Sequence, residues 1–158
     1  MDTINYVHLS EHQKELLDKS EQVMETAYNP YSHFFVGAAL RTTDDNIITG
    51  SNVENAAYGL TICAERSAIL RANAMGYRMF KGLAIIARGE VFDTEEVSAS
   101  CGSCRQMLYE SRQISEQDLE IVLSTTKKDK IVITSIDELL PLPFGPVDLG
   151  IDIKKYQT

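Results

Sequence analysis

The sequence predicts the α/β class: a three-layer α/β/α domain around one mixed sheet of about five strands. Apolar runs of strand length, at residues 34–40, 47–49, 83–87, 119–123 and 131–134, are interleaved with segments of helical periodicity. The run Leu83 to Ala87 is apolar throughout, as expected of a strand covered on both faces. The length of 158 residues, with 44% hydrophobic and 24% charged residues, suits one domain that builds a core without disulfide staples.

Each element has a local reason. Residues 1–9 read as an untethered leader. Ser10 and Gln13 make a capping box, and Leu16, Ser20, Val23 or Met24, and Ala27 follow at helical spacing, so a helix is expected over about 10–27. Pro30 closes that segment by disfavouring helical geometry in Asn29. Residues 34–40 and 47–49 flank the turn cluster Asp44-Asp45-Asn46 and read as a β-hairpin. Asn52 to Leu60 is a polar loop. A helix is expected from near Cys63 to Met75, stopped by Gly76. After the strand at 83–87 comes an acidic loop, Glu90 to Ser98, then a helix from the second cysteine stretch to about Ser111. Two strands follow, separated by the charged turn Lys127-Lys128-Asp129-Lys130. Ser135 and Glu138 cap a last short helix, ended by Pro141 and Pro143. The expectation is a single domain over 1–158, with 1–9 and 150–158 as flexible or peripheral tails.

Charge and composition narrow the partners. Lys plus Arg is 15 against 23 for Asp plus Glu, a net charge of −8. A polyanion would be repelled on average, so nucleic acid as a polymer is disfavoured and a small neutral ligand is favoured. No run approaches the ~20 apolar residues of a membrane span, and the first residues have neither the basic nor the apolar region of a signal peptide. A cytoplasmic setting, where thiols stay reduced, is the expectation.

All three cysteines lie in two short stretches, Thr61-Ile62-Cys63-Ala64-Glu65-Arg66 and Cys101-Gly102-Ser103-Cys104-Arg105-Gln106. An odd count suits a metal better than a disulfide framework. A Cys-x-x-Cys alone leaves redox chemistry, structural zinc and coincidence open. The redox reading leaves Cys63-Ala64-Glu65 unexplained. Structural zinc needs a fourth protein ligand, and His8, His12 and His33 are not at ligand spacing. Three thiolates leave one of zinc's four positions open, which favours a catalytic site holding one Zn²⁺ per chain. Glu65 is not needed as a ligand and is free to move protons. Both stretches open expected helices, where unpaired N–H groups favour thiolate. Three thiolates and Zn²⁺ sum to a formal charge of −1. Arg66, one turn beyond Cys63, is placed to offset it and to hydrogen-bond a ligand sulfur, and Gln106 is grouped with it as a supporting residue.

The pairing of Cys-x-Glu with a later Cys-x-x-Cys resembles the zinc nucleobase deaminases. Residues 27–40, the stretch Asn52-Val53-Glu54-Asn55-Ala56-Ala57-Tyr58-Gly59-Leu60 running into Cys63, the Cys101 motif and residues 138–149 are similar to the small homotetrameric cytidine deaminases. The resemblance implies hydrolytic deamination of cytidine and deoxycytidine in pyrimidine salvage. It implies Cys63, Cys101 and Cys104 as zinc ligands and Glu65 as the catalytic proton shuttle. Asn52 and Glu54 would hold the ribose hydroxyls, Phe34 would pack on the pyrimidine, and the backbone of Ala64 would contact the base. Phe144 and Tyr58 would line sites shared between the subunits of a homotetramer. A modified-nucleoside (blasticidin-type) deaminase and a non-catalytic zinc-stabilised interaction module are the competing readings. The first is opposed by Asn52-Val53-Glu54-Asn55 and Phe144, the second by Glu65. One departure stands out: the family usually has Ser-Pro before the first cysteine of the pair, and this chain has Ala99-Ser100. Ser100 frees φ and adds a donor beside the site.

Overall fold

The computed structural model describes residues 2–158. Among these residues four α-helices and six strands appear, besides short 3-10 turns, in the order β1 (Asp2–Ile4), α1 (Glu11–Met24), β2 (Phe34–Thr42), β3 (Ile47–Ser51), α2 (Ala64–Ala74), β4 (Phe80–Gly89), α3 (Gly102–Ser115), β5 (Glu120–Thr125), β6 (Ile131–Ser135) and α4 (Ile136–Leu139). The sheet order is β1-β6-β5-β4-β2-β3. Only β4 and β5 run parallel, with α3 in the crossover between them; the other four pairings are antiparallel. The sheet is therefore mixed, as expected.

Alternation along the strands explains the layers. Ala39, Ala84 and Val122 point to one face and meet Leu16 and Leu17 of α1. Their neighbours Ala38, Leu40, Leu83, Ile85, Ile121 and Leu123 point to the other, against Ala64, Ala68 and Ala72 of α2 and Leu108 of α3. Burying each Leu or Ile contributes about 1.5–3 kcal/mol, so β4 and β5, filled on both faces, are the spine of the fold. Two glycines set how closely helices approach. A Cβ on Gly37 would lie 1.9 Å from the Ser20 carbonyl of α1, and one on Gly50 would lie 2.4 Å from the Ala68 nitrogen of α2.

The leader is corrected. Asp2, Thr3 and Ile4 pair with Ile133, Val132 and Ile131, giving the sixth strand, and Leu9 is buried in the α1 face of the core. Its few residues carry too little pattern to mark a strand; the open edge of β6 supplies the partner. The far tail is also docked. The Thr158 carbonyl accepts from the Arg78 and Met79 N–H groups, and the Gln157 side chain donates to the Ile114 carbonyl. Helix α1 carries the expected capping box but ends at Met24, short of Ala27, and α3 runs on to Ser115 before Glu116 takes a left-handed conformation (φ 53°).

Candidate active site

The site lies at the N-terminal ends of α2 and α3, beside the first residues of β2. Cys63 is the N-cap of α2 and Cys101 the N-cap of α3, both in extended backbone conformation. Neither caps with its side chain, so both sulfurs are left for another partner. Cys104, one turn into α3, is fully buried. The sulfurs of Cys63 and Cys101 are 3.9 Å apart and those of Cys101 and Cys104 are 3.5 Å apart; all three lie within 4.8 Å of one another. A tetrahedral zinc with bonds of ~2.3 Å sets its sulfurs ~3.8 Å apart, so the spacing fits that ion. Glu65 stands outside the sulfur cluster.

The electrostatics match. Cys63 is pulled down to about 5, first by the neighbouring Cys104 thiol and further by Arg66 and Cys101, with burial opposing. Cys104 is pushed up, because Cys63 holds the negative charge and burial disfavours a second one. The cluster thus stores a thiolate beside a proton that a metal displaces. Arg66 donates through Nη2 to the Thr61 carbonyl (2.9 Å) and reaches the Cys63 sulfur at 3.9 Å, as expected from its place one turn on. Gln106 does otherwise: its side chain donates to the Phe144 carbonyl at 2.8 Å, not to a sulfur.

In front of the sulfurs is a cavity of about 310 Å³. It brings together Phe34, Asn52, Glu54, Cys63, Ala64, Glu65 and Cys101, seven of the residues singled out from sequence. Glu65 is only 4% exposed, and burial holds its carboxyl above the ordinary glutamate range. Asn52 is buried with both ends of its amide engaged: Oδ1 accepts from Val36 N (2.9 Å) and Nδ2 donates to the Phe34 carbonyl (2.9 Å). One N–H and one lone pair remain for a ligand. Glu54 Oε2 accepts from the Tyr31 and Ser32 N–H groups at 2.8 and 3.2 Å. Burial acts to raise its carboxyl, but the Ser32 side chain and these backbone bonds together outweigh it and hold the carboxyl below the usual range. The loop carrying both residues is fixed by paired backbone bonds between Val53 and Ile62 and by the Glu54 N–H to the Tyr28 carbonyl.

Tyr58 and Phe144 lie outside this cavity. Tyr58 is 73% exposed and meets the Tyr31 ring edge-on at 5.5 Å; Phe144 is 59% exposed. Val36, Thr61, Ile85 and Ser98 line the cavity without having been singled out. Val36 and Ile85 look like ordinary core positions in sequence, and only strand register shows which end of each strand faces the cysteines. Ser100 is buried, with a hydroxyl that has no hydrogen-bond partner among the described residues. An unpaired buried hydroxyl costs about 1–3 kcal/mol.

Residues 10–117 match the family described as "Cytidine and deoxycytidylate deaminase zinc-binding region". The chain belongs to that family. A cytidine deaminase of Sporosarcina psychrophila is 41% identical over 137 residues, 87% of this chain and 94% of the relative. A cytidine deaminase of Halalkalibacterium halodurans is 40% identical over 135 residues, 85% of this chain and 96% of the relative. The 1.6 Å crystal structure of a cytidine deaminase from Burkholderia pseudomallei matches with a TM-score of 0.74 at 40% identity, covering 86% of this chain and 100% of that one. The fold is thus that of the cytidine deaminases. The family's zinc-binding region and the Cys63, Cys101 and Cys104 sulfurs fit one zinc per chain.

Proposed function

We propose that this deaminase family member hydrolyses cytidine and 2′-deoxycytidine to uridine and 2′-deoxyuridine, releasing ammonia. The observation that carries the reading is one buried carboxyl, Glu65, facing the same cavity as two of three clustered thiols without joining the cluster. Zinc, when bound by Cys63, Cys101 and Cys104, supplies the Lewis acidity that makes water a nucleophile at neutral pH. Glu65 takes the proton from the water that attacks C4, hands it to N3, and helps protonate the departing amine. Its burial favours the protonated form and so suits a group that must return its proton within each turnover. Phe34 packs against the pyrimidine, the backbone of Ala64 meets its polar edge, and Glu54 with the remaining N–H of Asn52 holds the ribose hydroxyls. Arg66 steadies the Cys63 sulfur.

Tyr58 and Phe144 act at sites shared between subunits of a homotetramer. Their exposure in the single chain, with that of Leu60, Leu142 and Val147, supports this reading. A cytoplasmic role in pyrimidine salvage follows from the substrate, and no described helix is long and apolar enough to cross a membrane. The test is direct: zinc-loaded protein is mixed with cytidine and the fall in ultraviolet absorbance on conversion to uridine is followed. Protein carrying one zinc that leaves cytidine intact overturns the proposal.

A further inference from the structure

We propose that His33 is a positioning residue for Glu54, acting through its backbone to turn the Tyr31 and Ser32 N–H groups onto the carboxylate. The inference rests on the ribose-binding role given to Glu54 above. His33 stands just before β2 in a left-handed conformation, φ 54°. Apart from glycine, histidine, asparagine and aspartate enter that region most readily, and β-branched residues least. His33 lines no part of the cavity, although its chain neighbours Ser32 and Phe34 both do. Whatever it does for a ligand, it does through them.

The chain is anchored on both sides of this turn. Tyr28 is tied to the loop of Glu54: its N–H donates to the Asn52 carbonyl at 3.0 Å, and its carbonyl accepts from the Glu54 N–H at 2.8 Å. On the other side Phe34 opens β2 opposite Gly89. Between these anchors the chain doubles back. The His33 N–H donates to the Asn29 carbonyl at 3.0 Å, and the Phe34 N–H donates to Ser32 Oγ at 3.1 Å. The Tyr31 and Ser32 N–H groups then meet a single Glu54 oxygen, Oε2, at 2.8 and 3.2 Å. The two amides leave Oε1 for a ribose hydroxyl. The His33 ring itself reaches only Glu90, Nδ1 to Oε2 at 3.5 Å, with both side chains more than half exposed, so that pair holds little.

Zinc-loaded enzyme is assayed with cytidine, 2′-deoxycytidine and 3′-deoxycytidine. The larger ratio of kcat/KM for cytidine over a deoxy analogue reports the hydroxyl that Glu54 holds. His33→Val puts a β-branched residue at the left-handed position. It should lower that ratio about tenfold, the worth of a hydrogen bond to a charged group, with kcat/KM for the deoxy analogue changed less than about twofold. His33→Ala, the milder change, should lower the ratio in the same direction and carries the test where His33→Val does not fold. His33→Gly removes the ring but takes the left-handed conformation freely, so its ratio should stay within about twofold of wild type. In the Glu54→Ala background, His33→Val should move the ratio less than about twofold, because the group it positions is gone. Equal losses on all three nucleosides would mean that His33 only supports the fold and would overturn the proposal. An unaltered ratio in His33→Val and His33→Ala would do the same, as would a loss in His33→Gly equal to that in His33→Val, which would trace the effect to the ring. A Glu54→Ala enzyme that kept the wild-type ratio would instead overturn the ribose role of Glu54.

Discussion

At the scale of residues, the chemistry depends on where single charges are allowed to sit. Glu65→Gln preserves shape and removes the titratable group. Turnover should fall by about 10²–10⁴-fold with zinc content unchanged, measured by cytidine conversion and metal analysis. The same carboxyl has a signature in stability. Burial raises its value in the folded chain, so its contribution is fully present below the unfolded glutamate value and is lost as pH rises through the folded one. In metal-free protein, Glu65→Gln and wild type should melt alike near pH 4, and the variant should melt higher at pH 8. A wild type that matches the variant at pH 8 would contradict the buried, raised carboxyl. Glu54 tests the ribose assignment. Glu54→Ala should lose about 1–3 kcal/mol of the preference for cytidine over free cytosine, read as the ratio of kcat/KM values. The chemistry-bearing residue types were legible from spacing and resemblance. Ser100 was noted there only as a departure, because its burial and its unpaired hydroxyl are properties of the folded chain.

At the scale of elements, two helix starts must be brought within a few ångströms of each other. The sheet does this by holding α2 and α3 on one face, and Gly50 lets α2 settle onto β3. Gly50→Ala would place a methyl group against the α2 backbone, where no side chain can yield. Stability should fall by about 1–3 kcal/mol or more, and zinc affinity should fall with it, since α2 carries Cys63 at its cap. Thermal melts with and without zinc would check this; equal losses in both would show that the α2 shift leaves the cysteines in place. Ser10→Ala is the contrast. It removes the α1 cap and should cost about 1 kcal/mol while leaving turnover alone, because α1 lies on the opposite face. The helices were readable from their caps and apolar spacing. Strand β1 was not, since three residues show no period and become a strand only through the edge of β6.

At the scale of the whole molecule, a closed core coexists with exposed apolar side chains. Tyr28, Tyr31, Val53, Tyr58 and Leu60 are exposed, Tyr31 and Tyr58 in a hollow that shares Ser32, Glu54 and Thr61 with the cavity, and Phe144 and Leu149 stand out near the C-terminal end. Exposed apolar side chains of this kind mark contact with other chains, and the proposed shared site would give them a use. Light scattering should therefore report four times the 17.6 kDa chain. Tyr58→Ala should weaken both the assembly and turnover, whereas an active monomer would separate this chain's catalysis from any neighbour.

The sequence by itself determined the donor set, the carboxylate beside it, the α/β class and the order of the central elements, because each leaves a local mark: residue type, period, cap or turn. Tertiary structure alone decided the rest. It brought Cys63 and Cys101, 38 positions apart in the chain, to a sulfur separation of 3.9 Å. It bound the Asn52 amide to the backbone of β2, drew the leader into the sheet, and kept Tyr58 and Phe144 out of the single-chain cavity. Each of these turns on contacts between segments distant in sequence, where strand register and helix approach set the distances and no local pattern carries them.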